Sequence, residues 1–411
     1  LLPIAGEFAG QHIKKARDLI IKKLQTKCLV EKIEDNYKHV VRTCYKCGTT
    51  IEPQIKNQWF VKMKPLALKA LEKIKNGEIN YIPEHYEKIS TYWLENIMDW
   101  NISRQIVWGI SIPAKICVKC EHGMVDLENK ITKCESCDGE VTQDNDTFDT
   151  WFSSGQWPFV ALGYPDSKDF ETFYPTDVME TAGDIIFFWV SRMIMLGLYV
   201  TDKIPFKNVY LHGMVLDAKS QKMSKSKGNV IDPMTFTEKY GTDAFRMGMV
   251  IGNTPGTSLA LAEERIRGYS KFANKIWNAA RFVLENTKDF DLTKTTELGE
   301  EDKKSEEELE NLMKEVTKEM DEYKFYIVAE KLYHYFWHTF ADIIIERSKK
   351  KILEDKNSDS AKTLLLSQLT TLLKALHPFM AFITEEIWSM MPIKNKNLLL
   401  IEKWPFDGAQ D

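Results

Sequence analysis

Residues 209–230 read VYLHGMVLDAKSQKMSKSKGNV. The first half is apolar enough for a buried strand ending near His212 and Gly213. The second is a loop in which Lys222, Lys225 and Lys227 alternate with Ser224, Ser226 and Met223 before Gly228. A lysine ammonium is a compact charge with three donors, and two of them on one loop can gather around a triphosphate as negative charge moves toward its leaving group. Taken alone, the same residues also fit an exposed Lys/Ser loop that holds nothing.

Outward from this stretch the pattern is that of an α/β protein. From residue 149 to 216, apolar strand candidates surround a long apolar helix. The apolar run Ile185–Val200 is interrupted by Ser191 and Arg192 and is shorter than a bilayer span, so it reads as a buried helix and no membrane is expected. Upstream, Phe8, Ile13, Ala16, Leu19, Ile20 and Leu24 fall at helical spacing, and a second helix, KPLALKALEKIKN, stops near Gly77. Beyond residue 262 the spacing is helical throughout. Ile266, Tyr269, Phe272, Ile276 and Ala280 form one stripe, and KFYIVAEKLYHYFWHTFADIIIERSKKK carries another. The glutamates of residues 299–323 read as the solvated face of a connecting helix, and the region as a helical bundle appended to the α/β domain.

At 411 residues with 44% hydrophobic content, the chain can bury more than one core. With 55 Lys+Arg against 60 Asp+Glu the formal charge is −5, so a polyanion has to be met by local basic patches. No basic leader or cleavage site opens the sequence, and a cytoplasmic location is expected. Six of the seven cysteines form C-x-x-C pairs. Cys117/Cys120 and Cys134/Cys137 have zinc-ribbon spacing over about residues 114–145, and four thiolates so placed can close a tetrahedron around structural Zn²⁺. Disulfides are disfavoured in a chain of this kind. Cys44/Cys47 has no second half in the sequence. Its ligand partners can lie elsewhere, or the pair can be free thiols or a redox couple.

The string KMSKS, residues 222–226, followed by GNVIDP and preceded by LHGMV, resembles the signature of class I aminoacyl-tRNA synthetases. Further blocks agree in order: DWNISRQIVWG, DTWFSSGQWPF, GDIIFFWVSRMIMLGL, YGTDAFR, FANKIWNAARFVLEN and LHPFMAFITEEIW. Together they are similar to the valyl-tRNA synthetase family over essentially the whole chain. DTWFSS and DIIFFW set it apart from the isoleucine branch, where DVWFDSG and DQHRGWF are expected.

The resemblance implies the second half of a Rossmann-type nucleotide-binding domain with a zinc-ribbon insertion, followed by an all-α anticodon-binding bundle. Residues 1–50 would close an editing insertion, 51–262 form the catalytic domain and 263–411 bind the anticodon. The implied activity is ATP-dependent activation of valine, with Mg²⁺, and transfer to valine tRNA. Carried over by position, Lys222 and Lys225 are catalytic. His212, Gly213, Val215, Ser224 and Ser226 complete the ATP site, and Trp151, Asp184, Ile185 and Trp189 form the valine pocket. On the tRNA side the candidates are Arg281 on the first bundle helix and Arg347, Lys349, Lys350 and Lys351 in ERSKKK. Trp151 and Trp189 also fit as plain core aromatics, His212 as a strand end, and the basic residues as solvated helix ends.

The family's second signature, HIGH, is absent from these 411 residues; GQHI at 10–13 lacks the strand–turn context. Most of the editing insertion and the C-terminal coiled-coil arm are absent as well. The chain alone is therefore expected neither to form valyl-adenylate nor to edit. An incomplete gene model, one half of a split synthetase that assembles with a separate N-terminal half, and a non-catalytic tRNA-binding module remain as readings.

Overall fold

The computed structural model describes residues 3–34, 36–44, 47–52, 55–224, 228–288, 290, 296–354, 358–393 and 395–406. The chain forms two compact units, Leu1–Gln58 and Trp59–Asp411. In the first unit, helix α1 (Ile13–Thr26) begins later than the apolar spacing suggests, because Gly10 takes a positive φ of 77° and the His12 side chain caps the Lys14 amide. Among the described residues of this unit only Ala16 is buried.

The larger unit is built on a parallel sheet of β1 (Asn80–Ile82), β2 (Thr176–Ala182) and β3 (Phe206–His212), with β3 in the middle. Phe206, Val209 and Leu211 of β3 are buried, the pattern of a strand covered on both faces. One cover is α2 (Met63–Lys75), whose Met63, Ala67, Ala70, Leu71 and Ile74 recur at one face. It ends where Gly77 turns at φ 73°. The other half of this core comes from the apolar segment expected to be a buried helix. It is a helix in three pieces: a 3₁₀ turn Gly183–Ile185, a wide π turn Ile186–Val190, and α3 (Ser191–Thr201). Met193, Ile194, Met195 and Leu198 join the core. Gly183–Thr201 is long and apolar enough to cross a membrane by composition, and more than half of it is buried in the protein.

Three antiparallel strands, Ala114–Cys117 in the centre flanked by Gly123–Val125 and Val141–Gln143, form the cysteine-bearing insertion. After a short parallel pair between β4 (Val215–Leu216) and β5 (Leu259–Ala260), the chain becomes helical. α4 (Glu263–Thr287), α5 (Glu300–Asp321), α6 (Phe325–His334), a π-helical continuation Tyr335–Ile344, α7 (Ile345–Leu353), α8 (Ser358–Leu376) and α9 (Ala381–Met390) pack around one apolar core. The acidic segment is more than a solvated face. α5 buries Leu309, Met313 and Val316, and also Asp302.

Two sequence blocks that are far apart in the chain meet at the seam between sheet domain and bundle. Asp243 accepts from the Phe382 and Ile383 amides at 3.1 and 2.7 Å and so caps α9. Arg246 donates to the Pro378 and Phe379 carbonyls just beyond α8. On the sheet side, Tyr210 of β3 packs on Phe325 of the bundle, with ring centroids 5.8 Å apart.

Candidate functional site

In an open parallel sheet, ligands bind beyond the carboxyl ends of the strands. Here the ends of β2 and β3 lie side by side, with His212 opposite Ala182. From β2 the chain runs into Gly183 and Asp184, and from β3 into Gly213. His212 Nδ1 pairs with Glu180. Lys222 Nζ reaches to 3.5 Å from Asp184 Oδ2, which brings the loop over the sheet edge. Thus His212, Asp184 and Lys222 are gathered in one place, with Ile185 half-buried next to Asp184.

The loop is organised by two residues that pattern reading overlooked. Asp217 accepts from the Lys219 and Gln221 amides and from Asn229 Nδ2, while Asn229 Oδ1 accepts from the Ser224 amide at 2.9 Å. The Asn229 amide and these backbone donors hold the Asp217 carboxyl below its usual range. Lys225 and Ser226 lie outside the described residues.

Gly213 has a packing reason of its own. A Cβ there would lie 1.7 Å from the Thr257 carbonyl oxygen, so the 257–258 backbone occupies the side-chain space. Val215 is half-buried beside Leu259 in the β4–β5 pair.

Trp151 and Trp189 are joined through the short helix Thr150–Ser154. Asp149 Oδ1 accepts from the Trp151 amide at its start, and the Trp189 indole donates to the Ser154 carbonyl at its end, at 3.0 Å. Asp149 also receives Trp100 Nε1 at 3.0 Å and Arg104 Nη2 at 2.8 Å. Arg192 stacks its guanidinium 3.7 Å from the Trp100 ring, and burial pulls it down to about 10. A cavity of about 520 Å³ is lined by Trp151, Phe188, Trp100 and Arg192, but not by Ile185 or Trp189.

The four cysteines of the insertion bring all their sulfurs within 4.8 Å of one another. Neighbouring Sγ atoms lie 3.4–3.6 Å apart, far beyond a disulfide bond and near the ~3.8 Å edge of a tetrahedron with zinc–sulfur bonds of about 2.3 Å. Each pair sits on the same turn. Glu121 and Asp138 take φ values of 57° and 53°, their amides return to the Cys117 and Cys134 carbonyls, and the two cysteine amides donate to His122 and Gly139. Backbone donors of Cys120 and Lys119 lower Cys117 to about 6; for Cys120 a downward pull from the His122 backbone is outweighed by the crowding thiols, which raise it to about 12. Buried Cys117 and Cys134 with their partners therefore fit a structural Zn²⁺.

The Cys44/Cys47 hairpin repeats that turn: the Gly48 amide donates to the Cys44 carbonyl, the Cys44 amide to Thr49, and Gly48 has φ 70°.

On the bundle, Arg281 rims a cavity of about 370 Å³ together with Trp277, Lys288 and Met390. Arg347 and Lys351 turn inward to the buried Asp302 at 3.1 and 2.7 Å, which also accepts from Ser360. Lys349 pairs with Glu346, and Lys350 is exposed.

Residues 8–262 match the family model for class I tRNA synthetases (I, L, M and V), and residues 302–411 match the anticodon-binding domain of tRNA ligase. The chain belongs to the class I tRNA synthetase family. Within it, the chain is 43% identical over 402 residues to the valine–tRNA ligase of Thermotoga maritima, covering 97% of this chain and 46% of that protein. It is also 43% identical over 406 residues to the valine–tRNA ligase of Petrotoga mobilis, with the same shares. It spans about half the length of these relatives.

Among solved structures, it is similar to a leucyl-tRNA synthetase–tRNA–LeuAMS complex from Agrobacterium radiobacter. That match has a TM-score of 0.61 and 22% identity, over 78% of this chain and 44% of that one. Methionyl-tRNA synthetase of Mycobacterium tuberculosis bound to methionyl-adenylate matches at TM-score 0.62 and 18% identity, over 87% of this chain and 66% of that one. These likenesses establish the fold.

Proposed function

We propose that this chain carries the second half of the catalytic domain and the anticodon-binding domain of a valine–tRNA ligase. The complete enzyme activates valine with Mg²⁺-bound ATP and passes the valyl group to valine tRNA. What carries the reading is the 3.5 Å contact of Lys222 with Asp184 at the sheet's carboxyl edge, in a chain 43% identical to such ligases.

The reaction is an in-line displacement. The valine carboxylate attacks the α-phosphate, a new O–P bond forms, and pyrophosphate departs with the electrons of the bond that breaks. Lys222 and Lys225 neutralise that departing charge, and Ser224 and Ser226 shape the loop. His212, Gly213 and Val215 border the adenine. Asp184 exchanges Lys222 for the substrate ammonium, which frees the lysine for the phosphates. Trp151, Ile185 and Trp189 wall the valine side chain. Rigid indoles exclude larger side chains but discriminate weakly against threonine, so a hydrolytic editing site is required, and residues 1–50 are its closing segment.

Residues 51–262 act as the catalytic domain and 263–411 as the tRNA-reading bundle, in the cytoplasm. Exposed Lys350, with Arg281 and Lys349 in surface ion pairs to Glu285 and Glu346, meets the tRNA phosphates, while Arg347 and Lys351 hold α7 to α5. Cys117, Cys120, Cys134 and Cys137 hold a structural zinc, and Cys44/Cys47 forms half of a second such site.

Valine-dependent ATP–pyrophosphate exchange tests this, run on the chain alone and mixed with a separately expressed N-terminal half bearing HIGH. Exchange in the mixture supports the ligase. Silence in both, with tRNA binding retained, moves the assignment to a tRNA-binding module.

A further inference from the structure

The Trp151 ring stacks on Phe188, with centroids 5.8 Å apart, and also borders open space. The cavity of about 520 Å³ against its ring leaves the indole room to retract, and Ile185 and Trp189 do not border that space. Besides that stack, the indole is placed by the short helix that carries it, and that helix is fastened at two points. Its last carbonyl, Ser154, is held by the Trp189 indole, so the far wall of the proposed pocket is one anchor. Its first amide, that of Trp151, is held by Asp149.

Asp149 is built as an anchor. Only 5% of it is exposed, and its own amide is bonded to the Ile102 carbonyl at 2.7 Å. One carboxylate oxygen takes Trp100 Nε1 and Arg104 Nη2 with Arg192 Nη1 at 3.9 Å, leaving the other for Trp151. A carboxylate that accepts from several fixed donors cannot rotate without stranding one of them in a buried site. On the helix's flank, a Cβ at Gly155 would lie 2.8 Å from Leu196, so the segment sits flush on α3.

We infer that Asp149 is a specificity-determining positioning residue: by anchoring the start of Thr150–Ser154 it fixes the separation of the Trp151 and Trp189 indoles, and with it the largest aliphatic amino acid the pocket admits. The inference rests on the valine-pocket reading above. Asn at this position presents one oxygen and one NH₂ to donors on both sides. Whichever way the amide turns, a buried N–H faces a donor and Trp151 loses its fixed place. The pocket then opens toward the cavity and admits isoleucine.

The test is amino-acid-dependent ATP–pyrophosphate exchange by the complete enzyme, this chain together with the HIGH-bearing half, carrying Asp149→Asn or Trp100→Phe. Both variants are measured with valine and with isoleucine. Asp149→Asn is expected to lower the valine-to-isoleucine ratio of kcat/KM by about tenfold, chiefly through a lower KM for isoleucine. Trp100→Phe removes one donor, keeps the carboxylate, and is expected to move the ratio the same way by less; it carries the test if the Asn variant does not fold. A general structural defect lowers exchange with both amino acids and leaves the ratio where it was. That result, or no change at all, overturns the inference while the unsubstituted enzyme still activates valine. No valine exchange by the unsubstituted enzyme overturns the pocket reading itself, and the inference with it.

Discussion

Lys222 and Asp184 are both half-exposed, so the 3.5 Å pair between them contributes little to stability. On the function proposed above its weight lies in catalysis: an ammonium parked on a carboxylate can leave it cheaply when a substrate ammonium arrives. In the complete enzyme, Lys222→Ala is expected to lower kcat for valine activation by about 10²–10³-fold, the range for losing one preorganised charge-stabilising donor. tRNA affinity, measured by filter binding, should stay unchanged. Gly213 is a different kind of requirement. Its side-chain space belongs to the Thr257 carbonyl, and a backbone atom cannot step aside as a flexible side chain can. Gly213→Ala should therefore cost at least the ~1–3 kcal/mol typical of overpacking, visible as a lower Tm.

At the scale of elements, the seam between sheet domain and bundle is polar, with Asp243 and His377 buried and Arg246 at the surface. Asp243 caps α9 and Arg246 closes the chain after α8, so the YGTDAFR block finishes both helix ends of the LHPFMAFITEEIW block. His377 sits in this seam, bonded to Thr384 at 2.8 Å, with Glu385, Asp243 and Arg246 as its charged neighbours. Burial depresses its folded-state pKa, against an upward pull from Glu385 and Asp243. The unfolded chain then binds the proton first, so His377 contributes stability that is present above the ordinary imidazole value of about 6.5 and is lost as pH falls through the folded value. His377→Gln keeps a partner for Thr384 but does not titrate. The Tm of the native protein should fall faster than that of this variant between pH 7 and 5. In the cysteine insertion, short strands of three or four residues bury little besides Cys117, Cys134 and Met124. Such an element depends on its metal. Cys134→Ser should remove one equivalent of zinc, read by atomic absorption, and expose the insertion to protease while α8 and the bundle remain protected.

For the whole molecule, what was legible in the sequence divides along physical lines. Helical stripes such as Ile266, Phe272 and Ile276, and the C-x-x-C pairs, announce themselves because spacing alone sets their geometry. The turn of Arg347 and Lys351 inward to Asp302 is not legible in ERSKKK, since no local pattern says that these side chains meet α5. Asp149 and Asp217 were equally silent, as each acts through partners distant in sequence or through its own backbone turn. At the surface, two features bear on the proposal that this chain works with an N-terminal half. β2 pairs with β3 on one side, and no other described strand pairs with it. Val107 and Trp108 of the DWNISRQIVWG block stand almost fully exposed, with Ile106 and Ile110 beside them more than half exposed. A free parallel edge next to the proposed ATP site, and an apolar patch of this kind, suit a second half of the nucleotide-binding domain. On the proposal above, that half carries the HIGH signature. Mixed with the HIGH-bearing half, this chain should gain valine-dependent exchange from a baseline of none. The fluorescence of Trp108 should shift to the blue in the same titration, at the same midpoint. Exchange by the chain alone would mean that the strands described here suffice to hold ATP, and that the free edge of β2 serves something else.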